Sequence, residues 1–268
     1  MRKLSGKILS SFFHEVGSLT HFFVLTIRTF FRTQGNSKAI MAHLSTVFSR
    51  SFSTVLFAGV FVGAILVLQF NLMLKNFDAQ IYLGGLNTSA LVREIGPLII
   101  SFLLAGKIGA FTAAELGTMR VTEQIDAIEC LGMNPIQYLV VPRMISIIVG
   151  SQFLLILGLI IGILGAMGIA SLFCGVNFLQ FSSSIPRFTG IWTLASGFFK
   201  SLVYGIIVAG VACYKGYTAS GGARGVGRAV TQAAAYICFY IVIANFLTSY
   251  FLDFIHEFFN LLWGVHTA

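Results

Sequence analysis

Acidic residues crowd into one short stretch of an otherwise apolar chain. Four of the nine aspartates and glutamates fall within fifteen positions: Glu115, Glu123, Asp126 and Glu129. Paired carboxylates can act as general acid and base, but that chemistry requires a pocket that positions a substrate and shifts a carboxyl pKa. The surrounding sequence predicts instead a short, water-exposed helix with Val121, Ile125 and Ile128 on one face.

This predicted helix covers residues 118–133 and places Leu131 on its apolar face as well. Gly132 and the pair Asn134–Pro135 are typical of a helix end. A solvated loop helix resting on a membrane is one interpretation. Interfacial helices usually present basic residues to anionic lipid, whereas this one presents acids, so a protein partner fits it better.

A second charged feature is the pair Arg93 and Glu94, which opens an apolar stretch with Pro97 close behind. Charged side chains at membrane depth are costly and usually functional. Two interpretations stay open. The pair contacts a substrate, or its members satisfy each other at the membrane boundary.

Chemistry that needs a defined motif is not predicted. No GxxxxGK[ST] loop occurs, and Lys107 after Gly106 lacks the rest of that pattern, so we expect no ATP site in this chain. The cysteines show no metal-ligand spacing and are predicted to be packing residues: Cys130, Cys174, Cys213 and Cys238. The net charge of +8 reflects basic residues beside predicted cytoplasmic helix ends and does not indicate nucleic-acid binding.

The elements that hold these residues are predicted membrane helices. The chain has 268 residues, 57% hydrophobic and 10% charged, against about 25% charged in an ordinary soluble domain. Its apolar runs reach the roughly 20 residues that cross a bilayer. Five spans are predicted, at about 51–74, 86–114, 144–174, 194–214 and 229–252. Four charges interrupt the second and fourth of them: Arg93, Glu94, Lys107 and Lys200.

Small residues on two of these spans predict close helix packing. Gly59 and Gly63 lie on one face of the first span. The third span carries four glycines at three- and four-residue steps: Gly158, Gly162, Gly165 and Gly168. Such patterns allow helices to approach each other closely in a membrane.

The basic residues predict the orientation of the spans. With the N-terminus inside, thirteen of the seventeen Lys and Arg residues lie on the cytoplasmic side. Four remain outside: Lys75, Arg93, Arg187 and Lys200. The N-terminus is therefore predicted to be cytoplasmic and the C-terminus external.

The segment before the first span is predicted to lie at the membrane surface. Apolar residues recur at helical spacing between Lys7 and Arg32, which indicates an interfacial amphipathic helix. A further span is less favoured because only 12 residues separate Glu15 from Arg28. The sequence thus predicts an all-α integral membrane protein with an N-terminal interfacial helix and five transmembrane helices.

Several stretches together resemble a known family. They are AELGTMRVTEQIDAIECLGMNPIQYLVVPR at 114–143, VREIGPL at 92–98, AGKIG at 105–109, KSLVYG at 200–205, KGY at 215–217 and SGGARGVGRAVT at 220–231. The chain resembles the MlaE-type permeases of bacterial ABC phospholipid transporters that work with MCE proteins. On that resemblance, residues 1–50 form a cytoplasmic or interfacial segment and 51–268 an MlaE-like permease domain.

The resemblance implies a homodimeric permease in the bacterial inner membrane, clamped by two cytoplasmic ABC ATPase subunits that bind ATP and Mg. This chain would bind no cofactor itself. The acidic stretch would be the coupling helix between spans two and three, with ATPase-coupling residues Arg120, Glu123, Asp126 and Glu129. Arg120 is also the expected internal partner of these acids.

The resemblance also implies an outward-facing lipid cavity below a periplasmic MCE-domain protein. Candidates for its wall are Leu66, Gln69, Phe70, Arg93 and Glu94. Apolar residues there would hold acyl chains, and Arg93 would pair with a phosphate headgroup. Gly59 and Gly63 are expected to pack helices instead of binding lipid.

Other functions remain as alternatives. A non-transporting membrane scaffold for an MCE complex, or a permease for another hydrophobic substrate, fits the same features. A lipid-modifying enzyme would require a His, Asp or Glu cluster at membrane depth, and an ion-coupled carrier would require a central acidic residue in a span. Neither pattern is predicted here.

Overall fold

The computed structural model describes residues 17–26, 28–29 and 37–263. Every regular element among these residues is helical, and five helices are long and apolar enough to cross a membrane. We number them spans one to five: Ser37–Lys75, Gln80–Val121, Ile136–Phe173, Ile191–Tyr217 and Gly222–Phe259, the last helix continuing to Trp263. The prediction of an all-α membrane protein with five spans is confirmed.

The helices run beyond the apolar segments that predicted them. Span one has 39 residues, about 58 Å at 1.5 Å per residue, whereas the hydrocarbon core of a bilayer is about 30 Å thick. It begins at Ser37 and so includes residues that the sequence assigned to the segment before the membrane. Apolar runs mark the part of a helix that lies in lipid and not where the helix ends.

Span two contains two π-helical turns, Leu91–Ile95 and Ala105–Gly109. Pro97 explains why the first of these turns is not α-helical. Proline has no N–H, and its ring would clash with the carbonyl of residue 93 in a regular α-helix. The backbone N–H of Gly96 bonds instead to the carbonyl of Leu91, five residues earlier. Turns of this kind are frequent at functional sites, and these two carry Arg93, Glu94 and Lys107.

Shorter helices connect the spans. Gln124–Cys130 follows span two, and Phe178–Phe188 lies between spans three and four. Residues 17–26 and 28–29 are helical, within the predicted N-terminal amphipathic helix. The remainder of that prediction, including residues 7–16, lies outside the described residues.

The chain divides into two compact units, which we describe separately. The first contains Met1–Val47, Ala105–Val149 and Ile206–Ile237. The second contains Phe48–Leu104, Gly150–Gly205 and Cys238–Ala268.

Backbone contacts between glycines organise the second unit. A methyl group added at Gly59 would lie 2.8 Å from the carbonyl oxygen of Gly158, and one at Gly63 would lie 2.8 Å from the carbonyl carbon of Gly162. Gly197 of span four is in similar contact with span two, because a methyl group added at Gly197 would lie 3.3 Å from the carbonyl carbon of Val92. The predicted close packing of spans one and three is confirmed for these glycines.

Gly165 also packs as predicted, since a methyl group there would lie 3.0 Å from Cα of Val60. No described atom of this chain lies within 4 Å of a methyl group at Gly168, so close packing at that position stays a prediction. The spacing of small residues fixes a helix face but does not reveal where along that face the neighbouring helix diverges.

A compact apolar cluster completes the second unit where the helix Phe178–Phe188 packs on the start of span two. The N–H of Gly85 donates to Oγ of Ser184 at 2.9 Å, and a methyl group at Gly84 would lie 2.7 Å from the same oxygen. The buried members of the cluster are Val67, Leu83, Ala166, Met167, Ala170, Cys174, Val176 and Phe181.

The first unit packs the N-terminal helical residues onto span four. The ring of Phe22 is 8% exposed and lies edge-on to Tyr214 with centroids 5.6 Å apart. Gly210 leaves room for Phe23, because a methyl group at Gly210 would lie 2.6 Å from a ring carbon of Phe23. Gly216 likewise allows span two to pack closely, because a methyl group added at Gly216 would lie 2.8 Å from Cβ of Leu116.

The glycine contacts lead to a stability prediction. Gly63→Ala forces a methyl group into the backbone of span three and should destabilise the protein by about 1–3 kcal/mol. Gly168→Ala is the matched control. It adds the same group where space is open, so helix propensity alone should leave stability unchanged or raise it by about 1 kcal/mol. Thermal unfolding of both variants in one detergent provides the comparison, and equal melting temperatures would contradict a stabilising glycine contact.

Candidate functional site

The second unit contains a charge network centred on Glu94. Its carboxylate forms an ion pair with Nζ of Lys200 and accepts from Oγ of Ser249 at 3.2 Å. Lys200 also donates to the Ser249 hydroxyl at 2.8 Å. Three spans therefore supply the network: Glu94 from span two, Lys200 from span four and Ser249 from span five.

Lys200 is the most deeply buried member of the charge network, at 1% exposure. A lysine is almost never fully buried unless it is paired, because removing an ammonium group from water is very costly. Here the carboxylate and the serine hydroxyl replace water. Sequence analysis identified Lys200 only as a charge that interrupts span four and did not predict its pairing with Glu94.

Arg93 is the more open part of the charge network. Its guanidinium pairs with Asp253 of the fifth helix and lies 3.8 Å from Oε1 of Glu94. The side chains of Arg93 and Asp253 remain 37% and 54% exposed, respectively. The two neighbours Arg93 and Glu94 thus do more than satisfy each other, since each binds a residue on another helix.

Polar contacts continue along the same two helix faces. Tyr204 lies one turn after Lys200 and is fully buried, and its hydroxyl donates to Oδ1 of Asn245 at 2.7 Å. Asn245 lies one turn before Ser249. Spans four and five are therefore joined by two successive layers of hydrogen bonds within the second unit.

The remaining cavity candidates occupy different surroundings. Phe70 packs against the apolar cluster described above, Leu66 is half-buried and Gln69 is exposed. Among the described residues, no hydrogen bond or ion pair joins Gln69 to the charge network. The structure therefore brings Arg93 and Glu94 together with Lys200, Ser249 and Asp253, while the cavity role of Leu66, Gln69 and Phe70 stays a prediction.

The first unit holds the acidic stretch, but not as one continuous helix. Span two ends at Val121, and Glu123 has a left-handed backbone with φ of 58°. The short helix Gln124–Cys130, which we call the island helix, follows. Gly132, two residues after the helix ends, has a φ of 77°, and the N–H groups of Gly132 and Met133 donate to the carbonyls of Glu129 and Ile128 at 2.9 and 3.3 Å. The predicted glycine therefore terminates the helix from the position after its C-cap, Leu131.

One apolar residue and one ion pair hold the island helix in place. Ile125 is fully buried. Arg120, at the end of span two, donates to Oδ1 of Asp126 at 2.5 Å, which confirms the expected internal partner of the acids. Glu123 and Glu129 remain exposed.

Exposed apolar residues follow the island helix, and we call the helix together with residues 123 and 131–138 the island. Leu131, Met133 and Tyr138 are 74%, 42% and 52% exposed. The prediction that Leu131 lies on the inward face was wrong, because the helix ends before that residue, which is its C-cap. The sequence pattern predicted the exposed acids but not the exposed apolar residues beside them.

Arg120, which pairs with the island helix, also contacts aromatic residues of the first unit. The Arg120 guanidinium lies 6.0 Å from the ring centre of Tyr217, which in turn lies 5.8 Å from the ring of Phe22. Glu115 faces elsewhere and pairs with Arg143, a residue only 6% exposed, at 3.3 Å. The four acids therefore belong to two features: Glu115 pairs with the buried Arg143, and Glu123, Asp126 and Glu129 lie in or beside the island helix.

Among the described residues, no group of three or more His, Cys, Asp or Glu side chains is arranged to hold a metal ion. All four cysteines are free thiols; Cys174 and Cys213 are buried, as predicted for packing residues, whereas the prediction was wrong for Cys130, which is exposed beyond the apolar spans.

Comparison with known proteins gives a consistent result. Residues 40–251 match the family Permease MlaE. A probable ABC transporter permease protein of Synechocystis sp. is 36% identical over 217 residues, 81% of this chain and 82% of the relative. One from Rickettsia typhi is 33% identical over 244 residues, 91% of this chain and 94% of the relative.

A plant protein is also similar. The chloroplastic protein TRIGALACTOSYLDIACYLGLYCEROL 1 of Arabidopsis thaliana is 34% identical over 202 residues, 75% of this chain and 58% of the relative. The family match covers the charge network up to Ser249 and the whole island. The chain therefore belongs to the MlaE family of ABC transporter permeases.

Proposed function

We propose that the protein moves phospholipid, or a related lipid, between the bacterial inner membrane and a periplasmic MCE-domain partner. Two copies would form the membrane part of the transporter, and separate cytoplasmic ATPase subunits would hydrolyse ATP. The N-terminus would be cytoplasmic and the C-terminus periplasmic. The observation that carries the lipid substrate is a partly exposed guanidinium, that of Arg93, held by an ion-pair network among apolar helices.

The chemistry of the charge network supports a lipid headgroup as ligand. A guanidinium binds a phosphate through paired, charge-assisted hydrogen bonds. Glu94 and Lys200 would hold the backbone and side chain of Arg93 in place, while apolar span residues such as Leu66 and Phe70 would contact acyl chains. The plant relative is named after a galactolipid, which supports a lipid substrate for the present chain.

The island supports docking of an ATPase. Its exposed surface combines the acids Glu123 and Glu129 with the apolar side chains of Leu131 and Met133, and a mixed polar and apolar surface is typical of a protein interface. Movement of the docked ATPases would be transmitted through Arg120 and Ile125 to the end of span two. The alternatives, a scaffold without transport or a permease for another hydrophobic substrate, differ from this proposal in whether ATP drives lipid transfer.

Arg93→Gln tests the proposed headgroup contact. We expect ATP-dependent lipid transfer by the reconstituted complex to fall about tenfold, because one charge-assisted contact is lost. Assembly should be unaffected, since the Arg93 side chain is partly exposed. Arg187→Gln, at an exposed position on Phe178–Phe188, is the control. Wild-type transfer by Arg93→Gln would remove this residue from the mechanism.

A double substitution separates the structural and functional roles of the charge network. Glu94→Gln leaves the Lys200 ammonium buried without a carboxylate and should cost about 2 kcal/mol of stability. Glu94→Gln combined with Lys200→Met removes both charges and should recover the melting temperature. We expect transfer to remain low in the double variant. Recovery of transfer together with stability would assign the network a purely structural role.

Glu129→Lys and Leu131→Asp test the docking surface. Both side chains are exposed, so the permease should fold normally while the amount of co-purified ATPase falls at least severalfold. Asp126→Lys is less informative because it also breaks the pair with Arg120. Glu257→Lys, an exposed charge reversal on the fifth helix, is the matched control. Undiminished co-purification with both island variants would contradict the docking role.

A further inference from the structure

A polar recess lies within the first unit, where span four ends and the fifth helix begins. It has a volume of about 240 Å³. Its lining residues come from the end of span four, the connecting turn and the first turns of the fifth helix: Tyr214, Lys215, Thr218, Ala219, Ser220, Gly225, Arg228, Ala229 and Gln232. A phosphate group with part of a glycerol moiety fits a space of this size.

Two cationic side chains from different helices line the recess, and none of its described lining residues is acidic. Lys215 belongs to span four and is 8% exposed. Its Nζ lies 4.3 Å from the ring centre of Tyr236 and 3.5 Å from Oε1 of Gln232. These contacts hold the ammonium at a fixed position, and its charge contributes to a positive potential inside the recess.

Arg228 supplies the second charge from the fifth helix and is exposed. Its Nη2 lies 3.5 Å from the position that a methyl group on Gly221 would occupy, so the guanidinium sits close to the connecting turn. Among the described residues Arg228 forms no ion pair, in contrast to Arg93, Arg120 and Arg143. A guanidinium and an ammonium that line one recess suit an anion bound by two cationic groups.

The backbone of the connecting turn requires glycine. Gly221 and Gly222 have φ values of 90° and 67°, which other residues rarely adopt. A methyl group at Gly225 would lie 2.6 Å from the carbonyl carbon of Ser220. Side chains at these positions would therefore strain the turn that separates Lys215 from Arg228.

We infer that this recess binds a phosphate group, and that its source is the headgroup of an anionic lipid in the cytoplasmic leaflet. On the proposed topology the end of span four and the start of the fifth helix lie at that surface, where basic pockets between helices recognise anionic headgroups. The site is distinct from the charge network, which belongs to the second unit. Free phosphate is the other source of the same chemistry, and the experiment distinguishes the two.

The test uses the full chain in phosphatidylcholine nanodiscs that contain a small fraction of phosphatidylglycerol with a photoreactive headgroup. Crosslinking is mapped by mass spectrometry to residues 214–232. Arg228→Gln should reduce crosslinking in this segment about tenfold, as expected for one lost charge-assisted contact. Arg224→Gln is the control, because Arg224 has the same charge, is exposed one turn earlier and does not line the recess. Arg228→Lys should retain part of the binding.

The outcomes separate the possibilities. Crosslinking that depends on Arg228, is insensitive to Arg224 and survives added inorganic phosphate supports a lipid headgroup site. Loss of the crosslink at the millimolar inorganic phosphate found in cells would mean that free phosphate displaces the lipid; it supports the phosphate recess and overturns the lipid as its source. Equal loss in the Arg224 and Arg228 variants, or no loss in either, overturns the site. The readout involves neither ATP nor transport, so its failure leaves the proposed function standing, and failure of transport leaves the recess testable.

Discussion

Lipid offers no hydrogen bonds, so a charge within an apolar span must find its partner inside the protein. Lys200 is where this constraint is most severe, because its ammonium is almost completely buried. Its pairing with Glu94 and Ser249 brings spans two, four and five into one register. The position of Arg93 follows from that register, since it is the neighbour of Glu94 on a turn that Pro97 has widened.

The same principle distinguishes the two charged regions of the molecule. In the second unit, charges are paired across helices and leave one guanidinium partly open. In the first unit, Asp126 is paired locally with Arg120 while Glu129 stays in solvent. A buried network that orients a cation suits recognition of a ligand within the membrane. An exposed island beside apolar side chains suits a partner in water.

Sequence reasoning predicted the features that depend on composition and local spacing. Five spans followed from apolar runs, close packing from Gly59 and Gly63, the helix end from Gly132, and the partner of Asp126 from the nearby Arg120. It missed features that depend on which helices become neighbours. The pairing of Glu94 with Lys200 joins residues far apart in the chain, and no local pattern encodes it. The outward turn of Leu131 was missed because helical periodicity was extended past the residue where the helix ends.

The helices of the second unit meet in two ways, some through backbone contacts at glycine and others through side chains. Spans one and three touch backbone to backbone, and so do spans two and four at Gly197. The fifth helix has no glycine between Cys238 and Trp263, and its polar links to the other spans include Asn245, Thr248, Ser249 and Asp253. Close-packed backbones resist sliding, whereas hydrogen bonds can be exchanged one at a time. Within this unit, a shift of the fifth helix would exchange side-chain hydrogen bonds, whereas a shift between spans one and three would separate packed backbones.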